Sequence, residues 1–306
     1  MRIIRVIGCL VLFAPLAALA QNLPAHAVRT MSPVSPTPEY FISGDSVEPM
    51  ILAEWEVIDD LGSRIRIVWG KEAVDQAPAN ASRYEQKTYS FPTGTIRVLA
   101  FKAVQGGMVH AITSETAIFM LKGTGTVDVA GETIAVAEGD VVSYPSGVIR
   151  SDGDATVIAW AVTGTKINEA AKAMHVRAAD APVINLAEWD VDGKRVRAST
   201  PNALKDAPAD AIRLSIKRYV FDGNSVRVAN SKQGGPTTKT TGTQDSLIYV
   251  TSGKLRFFQD DSEIVAGPGD AIREIAGHYH NWYRMEDSSF IATSSLPINP
   301  LLAANP

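Results

Sequence analysis

The stretch Gly139 to Asp154, GDVVSYPSGVIRSDGD, returns in altered form as Gly269 to Arg284, GDAIREIAGHYHNWYR. The pairs Gly139/Gly269, Gly147/Gly277, Gly123/Gly253 and Glu115/Asp245 are each 130 positions apart. Chance does not produce that spacing four times, so the chain is an internal duplication and its two halves fold alike. Each unit also opens alike, with Leu52-Ala53-Glu54-Trp55-Glu56-Val57 matched by Leu186-Ala187-Glu188-Trp189-Asp190-Val191. The shared tryptophan reads as a core side chain that plugs the end of its domain, since a large ring gains most from burial.

Within each unit the local pattern is that of short strands. Thr95 to Phe101, Ala117 to Leu121, Thr133 to Val136 and Thr156 to Val162 carry apolar and β-branched residues, and so do Ser225 to Ala229, Leu247 to Val250, Lys254 to Phe258 and Ser289 to Thr293. Gly123, Gly131, Gly139, Gly253, Gly267 and Gly269 punctuate them. That spacing is the signature of an all-β sandwich or barrel. Gly139-Asp140 and Gly269-Asp270 suit tight turns, because glycine accepts positive φ and aspartate can bond its own backbone. Between the halves, Ile167, Ala170, Ala171 and Met174 fall at helical spacing and predict a short linker helix over 166–175, with His175 at its end as a cationic cap.

The ends of the chain divide off from this. Residues 1–20, with Arg2 and Arg5 before an apolar run that closes in Ala-Leu-Ala, read as a cleaved signal peptide. Export to the periplasm or exterior follows, after cleavage near Ala20. The only cysteine, Cys9, leaves with that segment, so the exported chain has no disulfide and depends on its cores. Loss of Arg2 and Arg5 takes the net charge from −4 to −6. No basic stripe occurs, which excludes nucleic acid as a partner, and no later run is long and apolar enough to span a membrane. Residues 21–50 carry Pro24, Pro33, Pro36, Pro38 and Pro49 and read as an extended arm, packed outside the two folded units or loose. The expected division is therefore signal peptide 1–20, arm 21–50, first barrel 51–165, linker 166–184, second barrel 185–296 and tail 297–306.

The repeated stretch resembles the second sequence motif of the cupin superfamily: Gly, five residues, Pro, one, Gly, two, His, three, Asn. The first copy has Gly139, Pro145 and Gly147 but Arg150 at the histidine and Asp154 at the asparagine. The second keeps Gly269, Gly277 and His280 but has Ile275 for proline and Arg284 for asparagine. The resemblance implies two tandem cupin-type antiparallel β-barrels of jelly-roll type. It also implies a metal held by two histidines and a glutamate of a first motif and the histidine of the second. Here the match is degenerate. In the first half His110 and Glu115 match two ligands, but Met108 and Arg150 stand at the others. A permanent guanidinium repels a divalent ion, so His110 and Glu115 read as partners of an Arg150 inside the barrel, near Glu115 or Asp154. In the second half only His280 and Asp245 survive.

If His280 points inward, strand alternation brings His278, Trp282 and Arg284 to the same face. His278, His280 and Asp245 would then be the catalytic set, or, if a metal is present, its two-histidine, one-carboxylate ligands. Arg150, His110, Glu115, Trp282 and Arg284 are the candidate ligand-binding residues. Three readings stay open: a barrel that binds a small polar or anionic organic molecule; a cofactor-free lyase or isomerase using His280; and a dioxygenase or decarboxylase with a non-standard site for Fe, Mn, Zn or Ni. The first is preferred and no cofactor is expected. A homodimer is left open.

Overall fold

The computed structural model describes residues 39–59, 62–102, 108–112, 117–129, 132–143, 147–151, 153–162, 174–192, 194–221, 224–235, 240–242, 245–260 and 262–295. The signal peptide, most of the arm, residues 166–173 of the expected helix, and Glu115 lie outside them.

The fold is all-β and antiparallel throughout, and each half pairs one large sheet with one small one. The first large sheet runs Met174–Val176, Val141–Ser143, Ala117–Lys122, Ala155–Val162, Gly94–Lys102, Ser82–Phe91, Met50–Asp59 and Gly62–Trp69; its small partner runs Met108–Ile112, Gly147–Ser151, Thr124–Val129 and Glu132–Ala137. The second half repeats this order. Its large sheet runs Phe41–Ile42, Ala271–Glu274, Ser246–Ser252, Ser288–Ser295, Asn224–Ser231, Ile212–Phe221, Val183–Val191 and Lys194–Ala198, and its small one Thr240–Thr241, Tyr279–Arg284, Leu255–Gln259 and Ser262–Ala266.

Each barrel buries its own interior between its two sheets. In the first, Ile118, Met120, Val157 and Ala159 of the large sheet meet Val127 and Ile149 of the small one. In the second, Ile248, Val250, Ile272 and Ala292 meet Leu255, Phe257 and Trp282. A third cluster lies on the outer faces of the large sheets and joins the barrels: Tyr89, Phe91, Phe119 and Trp160 from one, Tyr219, Phe221, Leu247 and Ile291 from the other.

A pseudo-two-fold set of hydrogen bonds surrounds that joint. Gly139 and Gly269 turn the chain at φ +86° and +93° as their Gly-Asp pairs suggest. Their carbonyls accept the hydroxyls of Tyr219 and Tyr89, across the interface, at 2.6 and 2.7 Å. Asp140 accepts from the N–H groups of Ala137 (3.0 Å) and Ala178 (2.8 Å); Asp270 accepts likewise from Gly267 (2.8 Å) and Gly44 (2.7 Å). Lys217 and Lys87 complete the set, donating to the carbonyls of Ala178 and Gly44.

Two expectations about the connections are corrected here. The end of the arm is not outside the barrels: Phe41 and Ile42 pair with Ile272 and Ala271 as the edge of the second barrel's sheet. Correspondingly, Met174–Val176 is a strand, not a helix end, paired with Val141–Ser143. The backbone bonds that an isolated helix would keep to itself go instead to an otherwise open sheet edge. His175 lies in that strand, and its Nε2 is 3.0 Å from Asp140 Oδ2.

The tryptophans of the repeat do not plug barrel ends either. Trp55 shares a face with Ala53 and packs with Val74 of the short helix Lys71–Asp75; Trp189 packs with Ala203 and Leu204 of Pro201–Asp206. Alternation puts the neighbouring glutamates inside instead. Glu54 accepts the Tyr84 hydroxyl, and Glu188 takes Arg197 Nε at 2.7 Å, with both carboxylates almost fully buried.

Candidate functional site in the second barrel

On the strand Tyr279–Arg284, residues 280, 282 and 284 face the barrel interior, because Trp282 lies in the core cluster and stacks on Phe290 with ring centroids 5.9 Å apart. His280 sits at one end of this row. Its side chain is 11% exposed, and its Nε2 lies 3.5 Å from Glu274 Oε1. The same oxygen accepts the Trp282 indole N–H at 2.9 Å. Glu274 is thus the carboxylate that accompanies His280.

Arg284 occupies the other end. Its Nε donates to Ser231 Oγ at 3.0 Å, and its guanidinium lies 4.8 Å from the Trp282 ring centroid and 5.3 Å from that of Phe290. Burial pushes its pKa down to about 10, against the opposing pull of Glu274 and Glu188. It remains a cation, held by aromatic faces and flanked by carboxylates.

The expected partners of His280 are elsewhere. Asp245 precedes the inward Ser246, so it takes the other face, where Arg273 binds it at 2.5 and 2.6 Å and the Ala276 N–H at 2.8 Å. His278 precedes the strand, is 44% exposed, and pairs its Nδ1 with Asp260. Neither joins His280. Among the described residues no three histidine, cysteine or carboxylate side chains converge as a metal-binding group.

Arg150 is also corrected. Ile149 is fully buried opposite Val127 in the first core, so Arg150, opposite Thr126, takes the outward face. In the second barrel Phe257, 130 positions beyond Val127, pairs instead with Trp282. Ile149 thus corresponds to Trp282, 133 positions on, and Gly147 rather than Arg150 corresponds to His280. An odd slip in register reverses every side chain's face. Asp154, Arg150's suggested partner, is exposed and lies 3.7 Å from Lys102. His110 belongs to Met108–Ile112, where its backbone pairs with Ile149; its side chain and Glu115 lie outside what is described.

The inward face of the large sheet adds residues not anticipated. Arg227 lies opposite Ala292 of the core, and Arg218 lies opposite Arg227 on the next strand. One step toward the same end come Ser225, Ser294, Ser246 and Glu274, paired in sequence across four strands. Arg227 Nη2 donates to Ser246 Oγ and Ser294 Oγ, each at 3.2 Å. Arg97 holds the matching place in the first barrel, opposite Ala159. The sequence carried that signal: an arginine recurs 130 positions apart inside otherwise apolar strands, IRV and VRV.

No family model and no curated protein sequence matches the chain. Solved structures do. AerE from Microcystis aeruginosa superposes with a TM-score of 0.53 at 10% identity, over 85% of this chain and 100% of its own. Lactobacillus farciminis oxalate decarboxylase in its formate complex gives 0.52 at 11%, over 89% and 92%. Streptomyces albus HEPD, with 2-hydroxyethylphosphonate and Fe(II) bound, gives 0.51 at 9%, over 83% and 76%. These neighbours share the cupin fold, and here it occurs twice in one chain. By fold, the chain is a bicupin.

The metal that a bicupin suggests finds a poor donor set in this one. His280 and Glu274 supply two donors, His278 and Asp245 are engaged away from them, and Arg218 and Arg227 bring two positive charges to the same end. A useful site normally has three protein ligands. The described residues do not fit one, and the chemistry they offer is that of a polar end of the barrel interior with a histidine–carboxylate pair.

Proposed function

We propose that the protein, after export, binds a small polar organic molecule of anionic character at the His280 end of its second barrel. The observation that carries this is the inward convergence of His280, Glu274 and Trp282 on one carboxylate oxygen, at an end also lined by serines and arginine. Groups of this kind are costly to bury unless they are satisfied, and few precisely placed polar groups inside an apolar wall are what a small-ligand site requires. Two structures of the same fold hold small anions, formate and a phosphonate.

Calorimetric titration of short organic acids and their neutral analogues tests the reading. Binding should weaken in His280→Gln and Glu274→Gln and persist in Arg97→Gln. Binding lost only in Arg97→Gln, with all variants folded, would move the site to the first barrel and overturn the proposal.

The His280–Glu274 pair favours a second reading, proton transfer on the bound molecule, since a histidine oriented by a carboxylate is a general acid–base arrangement. On that reading His280→Gln lowers turnover by about a hundredfold or more, while binding weakens less. Elemental analysis of protein purified without a metal-binding tag separates both readings from a metalloenzyme, which would carry a stoichiometric ion.

A further inference from the structure

Arg218 and Arg227 stand directly opposite each other on adjacent strands and on the inward face of the second barrel. Like charges so placed repel, and a sheet gains nothing from them. Burial, and then the charge of Arg227, lower the pKa of Arg218. Arg227 is oriented by one terminal nitrogen that donates to two serine hydroxyls. Its Nε is buried and has no hydrogen-bond partner among the described residues. A guanidinium nitrogen in that state costs more than a lost bond in water, unless something accepts from it.

The first barrel supplies the comparison. Arg97 matches Arg227 there, but the residue opposite Arg97 is Thr88, so only the second barrel doubles the charge.

We propose that Arg218 and Arg227 form a carboxylate-binding subsite, in which the planar carboxylate of a small organic acid lies between the two guanidinium groups. The inference rests on the reading that the ligand occupies the His280 end of the second barrel, and it names what the ligand must carry there. A carboxylate matches the fork of a guanidinium and gives the buried Arg227 Nε–H an acceptor. The serines Ser246 and Ser294 keep Arg227 in place. Glu274 and His280, one step further along the same interior, then face the remainder of the molecule rather than its carboxylate.

The test titrates the full-length protein with acetate, glycolate and malonate, with the neutral glycolamide, and with inorganic phosphate. Calorimetry and thermal unfolding are the readouts. Wild type should bind the carboxylates in preference to glycolamide and phosphate. Arg227→Gln and Arg218→Gln should each weaken carboxylate binding by at least about tenfold, the loss of one hydrogen bond to a charged group. Glycolamide binding should change little.

Thermal unfolding gives a second readout. Arg218→Gln and Arg227→Gln should each lose the carboxylate-dependent rise in melting temperature that wild type shows, while their melting temperatures without any anion show that both variants are folded. Carboxylates that bind equally well to wild type and to both arginine variants, yet poorly to His280→Gln, overturn the subsite and leave the second-barrel reading intact. A preference for phosphate over carboxylates overturns the carboxylate assignment. Binding sensitive only to Arg97→Gln overturns both.

Discussion

Asp140 and Tyr219 show how single side chains tie the two barrels together. Burial alone would raise the Asp140 pKa, but the N–H groups of Ala178 and Ala137 and the His175 ring outweigh it and hold the carboxyl below its usual 3.8. A depressed pKa means stability that is present above the unfolded value and is lost as pH falls through the folded one. Asp140→Asn should therefore cost about 1–3 kcal/mol at pH 7, and the gap to wild type should narrow below pH ~4, as urea unfolding at pH 7 and pH 3 would show. Tyr219 behaves oppositely. Burial, then the charge of Asp140, push its phenol up to about 12, so its contribution is lost as pH rises from 10 toward 12. Tyr219→Phe should cost about 1 kcal/mol at neutral pH and flatten the alkaline limb of the unfolding curve. At this scale the sequence was legible where alternation alone decides: His280 does share the interior with Trp282 and Arg284. It misled where a register had to be known. Three extra residues between Phe257 and Trp282, relative to Val127 and Ile149, put Arg150 on the outward face of its strand rather than the inward one.

The turns and the strands were read correctly from local chemistry, because glycine, aspartate and β-branched residues act over a few positions. The connecting elements were not, because their partners are remote. Gly44 bonds Asp270 across 226 positions, and nothing near Phe41 announces that its strand belongs to the second barrel. Removing residues 21–48 should therefore expose the edge Ala271–Glu274. Hydrogen exchange should speed up at those amides and leave Val141–Ser143 protected, since that edge has its own cover in Met174–Val176. Equal loss at both edges would mean that the arm acts on the whole fold rather than on one sheet.

The molecule as a whole is organised around the joint, which is a core in its own right. Trp160 is fully buried in it, among residues of both halves. Trp160→Ala should cost about 3–5 kcal/mol, and calorimetry should still show one transition, because neither barrel keeps its outer face covered when the other unfolds. Two resolved transitions in the wild type would make the barrels independent. The reciprocal arms give this arrangement the form of two copies that embrace, each sheet closed by the segment that leads into the other copy. Two separate chains of one sequence could build the same embrace, but every change in one would appear in the other. Joining them in tandem removes that bond of identity. One copy can hold Thr88 and the other Arg218 at the same place, so the two halves are free to diverge side chain by side chain on one common plan.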